Sequence, residues 1–493
     1  MCEKSNKFKG TYFVSSISIF SAICEFGISS IFVLFLIYIM HFSMPLTSRT
    51  FAYYYSFANL LPILIGYISD KYLKKKISLS LGFIALIVSQ FILSFASSLY
   101  TPGTFEYNSY PFNAQTMSYF CGLFFLALGT SFTGLSFSSI INSLNKKENR
   151  LEAFSIYYSI LNMGVLIGVI LMTIIIGEDN YAMYGFGFLL IGIILIIGFI
   201  SFLLFGRKYL VDNDGNTFND KSSSNLIKKC RKVIFKRITS KNLSNVQNLS
   251  FMQRFKLLCT SLSSVQKDRI KVFLVCLLII IVYRIAYTQS NISMVFFIDN
   301  YVEREFSFYT IPVQMFFILN PLFILVLGPV YIKFNKKIED SNIDLDFIRR
   351  TVIALVVLSV CYSILSVIGY YLDIGQITTI NLIWMVIFEF LIAISELFLS
   401  ISGYSMVGDL FPEEYYALFL GLFLATRAIS FFVSGKLSEL FPRDSTPNFF
   451  MNIPVDGLLG YFIIFVIINL IAAIFLIMLR NRLKMKMHLD ELN

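Results

Sequence analysis

The chain reads as an all-α membrane protein of about twelve transmembrane helices arranged in two six-helix bundles. Three observations lead there. First, 57% of the 493 residues are hydrophobic and only 14% charged, with a mean hydropathy of +0.73, far outside the range of a soluble domain. Second, apolar windows of the roughly 20 residues needed to cross a bilayer recur along almost the whole length. Third, Lys and Arg alternate between connectors that are rich in them and connectors that are poor.

Taken in order, the spans fall near 12–40, 51–70, 77–99, 115–143, 151–177 and 181–205, then 271–299, 308–334, 347–371, 378–408, 414–440 and 457–482. The windows 51–70 and 414–440 are less apolar and carry Asn, Ser, Thr or charge. The first apolar run is too long and too aromatic for a cleavable leader, so it is expected to stay as a helix. Lys4, Lys7 and Lys9 precede it; Lys71 and Lys74 to Lys76, Lys146, Lys147 and Arg150, and Lys333, Lys336 and Lys337 fill later connectors. Arg480, Arg482, Lys484 and Lys486 close the tail, whereas the intervening connectors offer only Arg49, Arg304 and Arg443. This bias places both termini in the cytoplasm, demands an even number of spans, and explains the net charge of +10 without nucleic-acid binding.

Between the sixth and seventh spans lies the longest polar stretch, 207–269, dense in Lys, Asn and Ser. It divides the chain into a first bundle (1–205), a basic cytoplasmic linker (206–270) and a second bundle with a basic tail (271–493). Most of the linker reads as flexible, with 250–262 open as a short amphipathic helix on the inner membrane face. A weak internal echo runs from Pro62 through Asp70 to Lys76 and from Pro321 through Gly328 to Lys337.

The seven Cys (2, 24, 121, 230, 259, 276 and 361) have no metal-ligand spacing and no oxidising partner, so neither disulfides, metal nor cofactor is expected. His41 and His488 sit near span ends, which leaves no histidine for a proton relay at membrane depth. An enzyme is disfavoured because HExxH, GxSxG and phosphate-binding glycine loops are missing.

Charges that interrupt apolar runs carry the functional signal. Glu396 lies in the middle of 379–407, where an isolated charge costs about 2.5–3.5 kcal/mol on insertion scales. It stays only if it faces a bundle interior or a watery cavity. It fits either a structural acid hydrogen-bonded between helices, or one that holds a substrate ammonium or exchanges a proton as its solvation changes. Glu389, two helical turns earlier on the same face, is open between a packing acid and a coupling acid. Glu25, Arg284 and Arg427 interrupt other spans; Arg284 and Arg427 lie too deep to snorkel, and fit either ion pairs or substrate-binding cations. Asn162, Gln289 and Asn320 put amides on three further helices, where such groups are often only interhelical glue. Of the 28 Tyr, Tyr157, Tyr158 and Tyr287 are the ones placed near a cavity.

Four segments carry a resemblance. Gly66-Tyr-Ile-Ser-Asp70-Lys71 with Lys74 to Lys76 resembles the cytoplasmic loop signature of the major facilitator superfamily, in which the glycine permits close helix approach and acid–base pairs such as Asp70 with Lys71 and Lys75 latch helix ends. Phe154-Ser-Ile-Tyr-Tyr-Ser-Ile-Leu-Asn162-Met-Gly164 resembles the fifth-helix motif of the proton-dependent oligopeptide transporter family. Ile311-Pro312 through Leu319-Asn320-Pro321-Leu322-Phe323 to Gly328-Pro329 is similar to its eighth helix. Ser395-Glu396-Leu397-Phe398-Leu399-Ser400, with Gly403, Ser405 to Val407 and Pro412, is similar to its tenth. Tyr287 and Gln289 fit its seventh-helix pattern.

The departures are as informative. The family's first helix carries Glu-x-x-Glu-Arg-Phe and two tyrosines; here the stretch is Ser21-Ala-Ile-Cys24-Glu25-Phe26, then Ile28 and Ser29. At most one acid survives. Gly134 stands where the family's fourth-helix lysine is expected, and Phe32 near a second first-helix arginine. The resemblance implies a secondary active transporter of the cell membrane, importing di- or tripeptides or related amine-bearing solutes with protons. It implies substrate contacts at Glu396, Asn162, Gln289 and Asn320; depth and charge in this chain add Arg427, Arg284, Tyr287 and Tyr158 as substrate-binding candidates, and leave coupling to Glu396, Glu25 or Glu389. Glu396, Asn162, Gln289 and Asn320 are expected to converge on one water-accessible cavity. An exporter on the same fold and a non-transporting sensor remain open.

Overall fold

The computed structural model describes residues 8–103, 105–146, 149–177, 180–213, 264–306, 309–341, 346–410, 413–442, 448–450, 453–455 and 457–487. Apolar runs of this length can satisfy their backbone groups in lipid only as helices, and the first half forms six: α1 (Lys9–Leu34), α2 (Met44–Tyr72), α3 (Lys75–Ser98), α4 (Ala114–Leu144), α5 (Arg150–Ile176) and α6 (Met183–Tyr209). A π-helical turn, Phe35–Ile39, prolongs α1. The second half forms α7 (Ser264–Thr288), which continues through a 3-10 turn (Gln289–Asn291) into α8 (Ser293–Tyr301), then α9 (Leu319–Asp340), α10 (Phe347–Asp373), α11 (Ile383–Leu410), α12 (Glu413–Ser438) and α13 (Gly457–Met487). A 3-10 segment, Val313–Ile318, leads into α9.

Among the described residues, nine helical segments are long and apolar enough to span a membrane. The helices α2, α11 and α12 fall outside that set; α2 and α12 are the two marked as less apolar from sequence. The helices α6 and α7 reach Tyr209 and Ser264, so regular structure extends into the stretch expected to be linker, while its centre and the amphipathic segment 250–262 lie outside the described residues.

Helix ends are set by local chemistry. Asn113 caps α4 by accepting from the Thr116 amide at 2.8 Å, and Asp346 caps α10 through the Arg349 amide. Asp373, at the end of α10, receives the amides of Leu458 and Leu459 at 2.9 Å each, placing an anion at the N-terminus of α13. This requires the chain to turn at Gly457, with φ +70° and no room for a side chain against that carboxylate.

Packing within the first half joins α3 to α4 and α1 to α5. At the second crossing a Cβ on Gly168 would lie 2.6 Å from the Ile23 carbonyl oxygen, so the backbones approach as only small residues allow. Gly66 does not play that part: a Cβ there would meet only Leu135 at 3.7 Å. The expected close approach in the loop signature belongs instead to glycines of α1, α4 and α5.

The two halves meet chiefly along α2 and α12. Ser56 Oγ donates to the Ala428 carbonyl at 2.9 Å, Arg49 Nε to Glu439 Oε2 at 2.9 Å, and Gln314 Nε2 to the Gly177 carbonyl at 2.8 Å. Tyr38 donates to Asp299, which also pairs with Arg304. These bonds lie between the molecule's middle and the end opposite the termini. At the end carrying the termini, Arg480 binds Asp346 and Lys75 binds Ser139 and Ser143, each within one half.

Candidate functional site

Five helices bring charged or polar groups to the space between the halves. From α11, Glu396 Oε2 accepts a hydrogen bond of 2.7 Å from the Tyr287 hydroxyl of α7. Arg427 of α12, Asn320 of α9 and Arg284 of α7 flank the same carboxylate. The neighbouring Ser395 faces the other way, donating to the Ala354 carbonyl at 2.8 Å, which sets the rotation of α11 about Glu396. Tyr287 is held by stacking on Tyr283, 6.0 Å between centroids. The Arg284 guanidinium sits 5.7 Å from the Phe423 ring, an arrangement that holds a cation where little water reaches it.

The first half contributes Glu25. It is exposed although α1 is the most buried of the spans, and Arg427, Tyr54, Tyr55 and Tyr157 all lie within electrostatic reach. Neighbours from three other helices and access to solvent together mean that Glu25 faces an internal watery space and not lipid. Arg427, midway along α12, is likewise exposed. It is within electrostatic reach of both Glu25 and Glu396.

Not every expected residue joins this group. Gln289 is fully buried at the α7–α8 break. Its Nε2 donates to Ser434 Oγ at 2.9 Å and its Oε1 accepts from Ser293, Ser438 and Tyr461. It therefore ties α12 and α13 to the break in α7, and the expectation that it lines the cavity is corrected. A closed network has no room for a ligand: four polar side chains share one amide. Gln289→Leu should leave buried hydroxyls unpaired and destabilise the protein by about 3 kcal/mol, from ~1–3 kcal/mol per orphaned group, read as a lowered thermal midpoint of the purified protein.

Glu389 is buried beside Cys361 and Tyr362 of α10 as well as near Glu396, which makes it a packing neighbour of the site. The Asn162 amide donates to the Tyr158 carbonyl of its own helix at 2.8 Å, and Tyr158 is half exposed; both belong to the first-half wall, apart from the Glu396 group. Of the loop signature, Lys75 ties α3 to α4, and the side chains of Asp70 and Lys71 lie outside the described residues.

Sequence reasoning missed Tyr54, Tyr55 and Ser29. The Tyr55 hydroxyl bonds Ser29 Oγ at 2.8 Å, and its ring stacks on Phe431 of α12 at 5.1 Å. A usable signal was present: three consecutive tyrosines, 53 to 55, on a span otherwise marked as unusually polar.

Comparison with known proteins adds a lineage. Residues 77–452 match the model of the POT family. Dipeptide and tripeptide permease B of Yersinia enterocolitica serotype O:8 / biotype 1B is 25% identical over 438 residues, covering 84% of this chain and 82% of the permease. Dipeptide and tripeptide permease A of Yersinia pestis is 20% identical over 489 residues, covering 96% and 91%. A crystal structure of a peptide transporter POT with sulfate superposes with a TM-score of 0.73 at 17% identity, covering 97% and 95%. A POT family transporter with 5-aminolevulinic acid gives 0.72 at 17% identity, covering 96% of each. At such identity the structural likeness establishes the fold.

Proposed function

The chain belongs to the POT family, and on that premise we propose that it is a multi-pass carrier of the inner membrane. In this reading it imports di- and tripeptides, or related small amine-bearing solutes, together with protons by alternating access. The relatives are named as dipeptide and tripeptide permeases, and a structural neighbour holds 5-aminolevulinic acid, an amine-bearing acid. With both termini in the cytoplasm, as the Lys/Arg bias asks, the bonded seam through Arg49, Glu439 and Gln314 is on the outer side. The conformation is then one closed to the outside.

One observation carries the coupling: the Glu396 carboxylate, bonded by Tyr287, lies beside Arg427 and Arg284. A carboxylate opposite a cation stays ionised; draw the cation away and the proton returns. A substrate carboxylate binding Arg427 would do that, linking peptide binding to protonation of Glu396. Uptake of a labelled dipeptide into proteoliposomes, with and without an inward proton gradient, tests the reading. An exporter would instead deplete the lumen of oriented vesicles, and a sensor would show binding without uptake.

Arg427→Ala removes the cation shared by Glu25 and Glu396. Because a charge-assisted contact is worth ~1.5–3 kcal/mol, affinity for dipeptides with a free carboxylate should fall by about tenfold to a hundredfold. Both exchange and gradient-driven uptake should fall with it, whereas carboxyl-amidated dipeptides should lose little.

A further inference from the structure

An unexplained feature of the cavity is a pair of exposed charges, Glu25 and Arg427, that are unbonded among the described residues. Glu25 and Arg427 sit near the middles of α1 and α12, on opposite halves. Among the described residues neither makes a hydrogen bond or an ion pair. Charges at membrane depth are retained when water or a partner compensates them, and here they face one another across the watery space. A zwitterion is the ligand that neutralises both at once.

The halves are also unequal. The described first-half cavity wall presents an acid, Glu25, with tyrosines from two other helices: Tyr54 and Tyr55 from α2 and Tyr157 from α5. Its rings are held in place. Tyr54 stacks on Phe32 at 5.2 Å, and Tyr55 is pinned by Ser29 and Phe431. A carboxylate among fixed aromatic rings suits an alkylammonium, which gains both an ion pair and cation–π attraction. The second half brings both arginines, and its accessible acid, Glu396, already accepts the Tyr287 hydroxyl. An ammonium at Glu396 would have to approach beside Arg284 and Arg427, against their charge.

We propose that Glu25, in its tyrosine-walled corner of the first half, anchors the ammonium end of the substrate while Arg427 opposite takes the carboxylate. The peptide thus lies across the cavity with its amino end toward α1, and selectivity for a free amine is set on the first half. Closure of the halves shortens the gap between Glu25 and Arg427, so a ligand carrying both charges is gripped and one lacking either is not. This assignment rests on the transporter reading above, and it separates the amine anchor, Glu25, from the proton carrier, Glu396.

The test is competition against labelled dialanine in proteoliposomes by dialanine, N-acetyl-dialanine and dialanine amide. For the unaltered protein both blocked forms should compete about tenfold or more less well, as loss of a charge-assisted contact implies. Glu25→Gln should let N-acetyl-dialanine compete as well as dialanine while the amide stays disfavoured; Arg427→Gln should do the reverse. Tyr54→Leu should weaken dialanine about threefold or more without weakening N-acetyl-dialanine, and it carries the test if Glu25→Gln does not yield folded protein. Retention of the N-acetyl penalty in Glu25→Gln, or its loss in Glu396→Gln instead, overturns the assignment. Failure of the unaltered protein to bind dialanine at all would instead overturn the transporter reading and the anchor with it.

Discussion

Glu396→Gln should leave a carrier that exchanges labelled dipeptide across the bilayer yet cannot concentrate it. Glutamine keeps the volume, and its carbonyl still accepts the Tyr287 hydroxyl, which donates to Glu396 at 2.7 Å. The binding geometry therefore survives. What is lost is the group that gains and loses a proton beside Arg427 and Arg284. With one proton moved per substrate, an inward gradient of one pH unit is worth about 1.4 kcal/mol, or about tenfold accumulation. In the variant, accumulation should fall to the equilibrium level, with counterflow exchange changed by no more than about threefold, less than 0.7 kcal/mol. Undiminished gradient-driven accumulation would remove Glu396 from the coupling step and return attention to Glu389 and Glu25.

A second large effect is expected where the two halves touch at the α2–α12 seam. Gly435 of α12 packs against α2 so closely that a Cβ would sit 2.4 Å from Ala52 Cβ and 2.7 Å from the Ser48 carbonyl oxygen. The neighbouring bonds, Arg49 to Glu439 and Ser56 to Ala428, depend on that approach. Gly435→Leu cannot be accommodated by a side-chain shift, because backbone is in the way. Overpacking of this kind costs about 1–3 kcal/mol, and within an alternating carrier that cost falls only on the state in which this seam is shut. A bias of about 3 kcal/mol moves a two-state equilibrium more than a hundredfold. Uptake and exchange should both drop at least tenfold, and spin labels at Met44 and Leu440 should move apart. Labels that keep the unaltered separation would show that the seam tolerates the side chain and that the two halves do not rock about it.

Much of this was legible in the order of residues alone. Hydrophobic length and the Lys/Arg alternation demand spans and set their number near twelve, because a backbone in lipid has no other way to satisfy itself. Glu25, Glu396, Arg284 and Arg427 announced themselves as charges where charge is costly, and the structure places all four on one internal space. The segments resembling the fifth, eighth and tenth helices of the proton-dependent oligopeptide transporter family pointed to the lineage that residues 77–452 match.

Rotation about a helix axis is what sequence could not supply. Gln289 and Tyr287 are two residues apart on one helix, and both looked like cavity residues; a 3-10 break turns the first into a sealed network with Ser434, Ser438 and Tyr461, and leaves the second on Glu396. Asn162 sits in a well-matched segment, yet its amide bonds its own helix. Tyr54 and Tyr55 looked like ordinary aromatic filling until α1 and α5 brought Glu25 and Tyr157 beside them. Burial cost is a property of one residue and its window, so sequence determined which charges are costly at membrane depth. Pairing is a property of residues hundreds of positions apart, so only the packing of helices from both halves decided that Arg427 comes within reach of both Glu25 and Glu396.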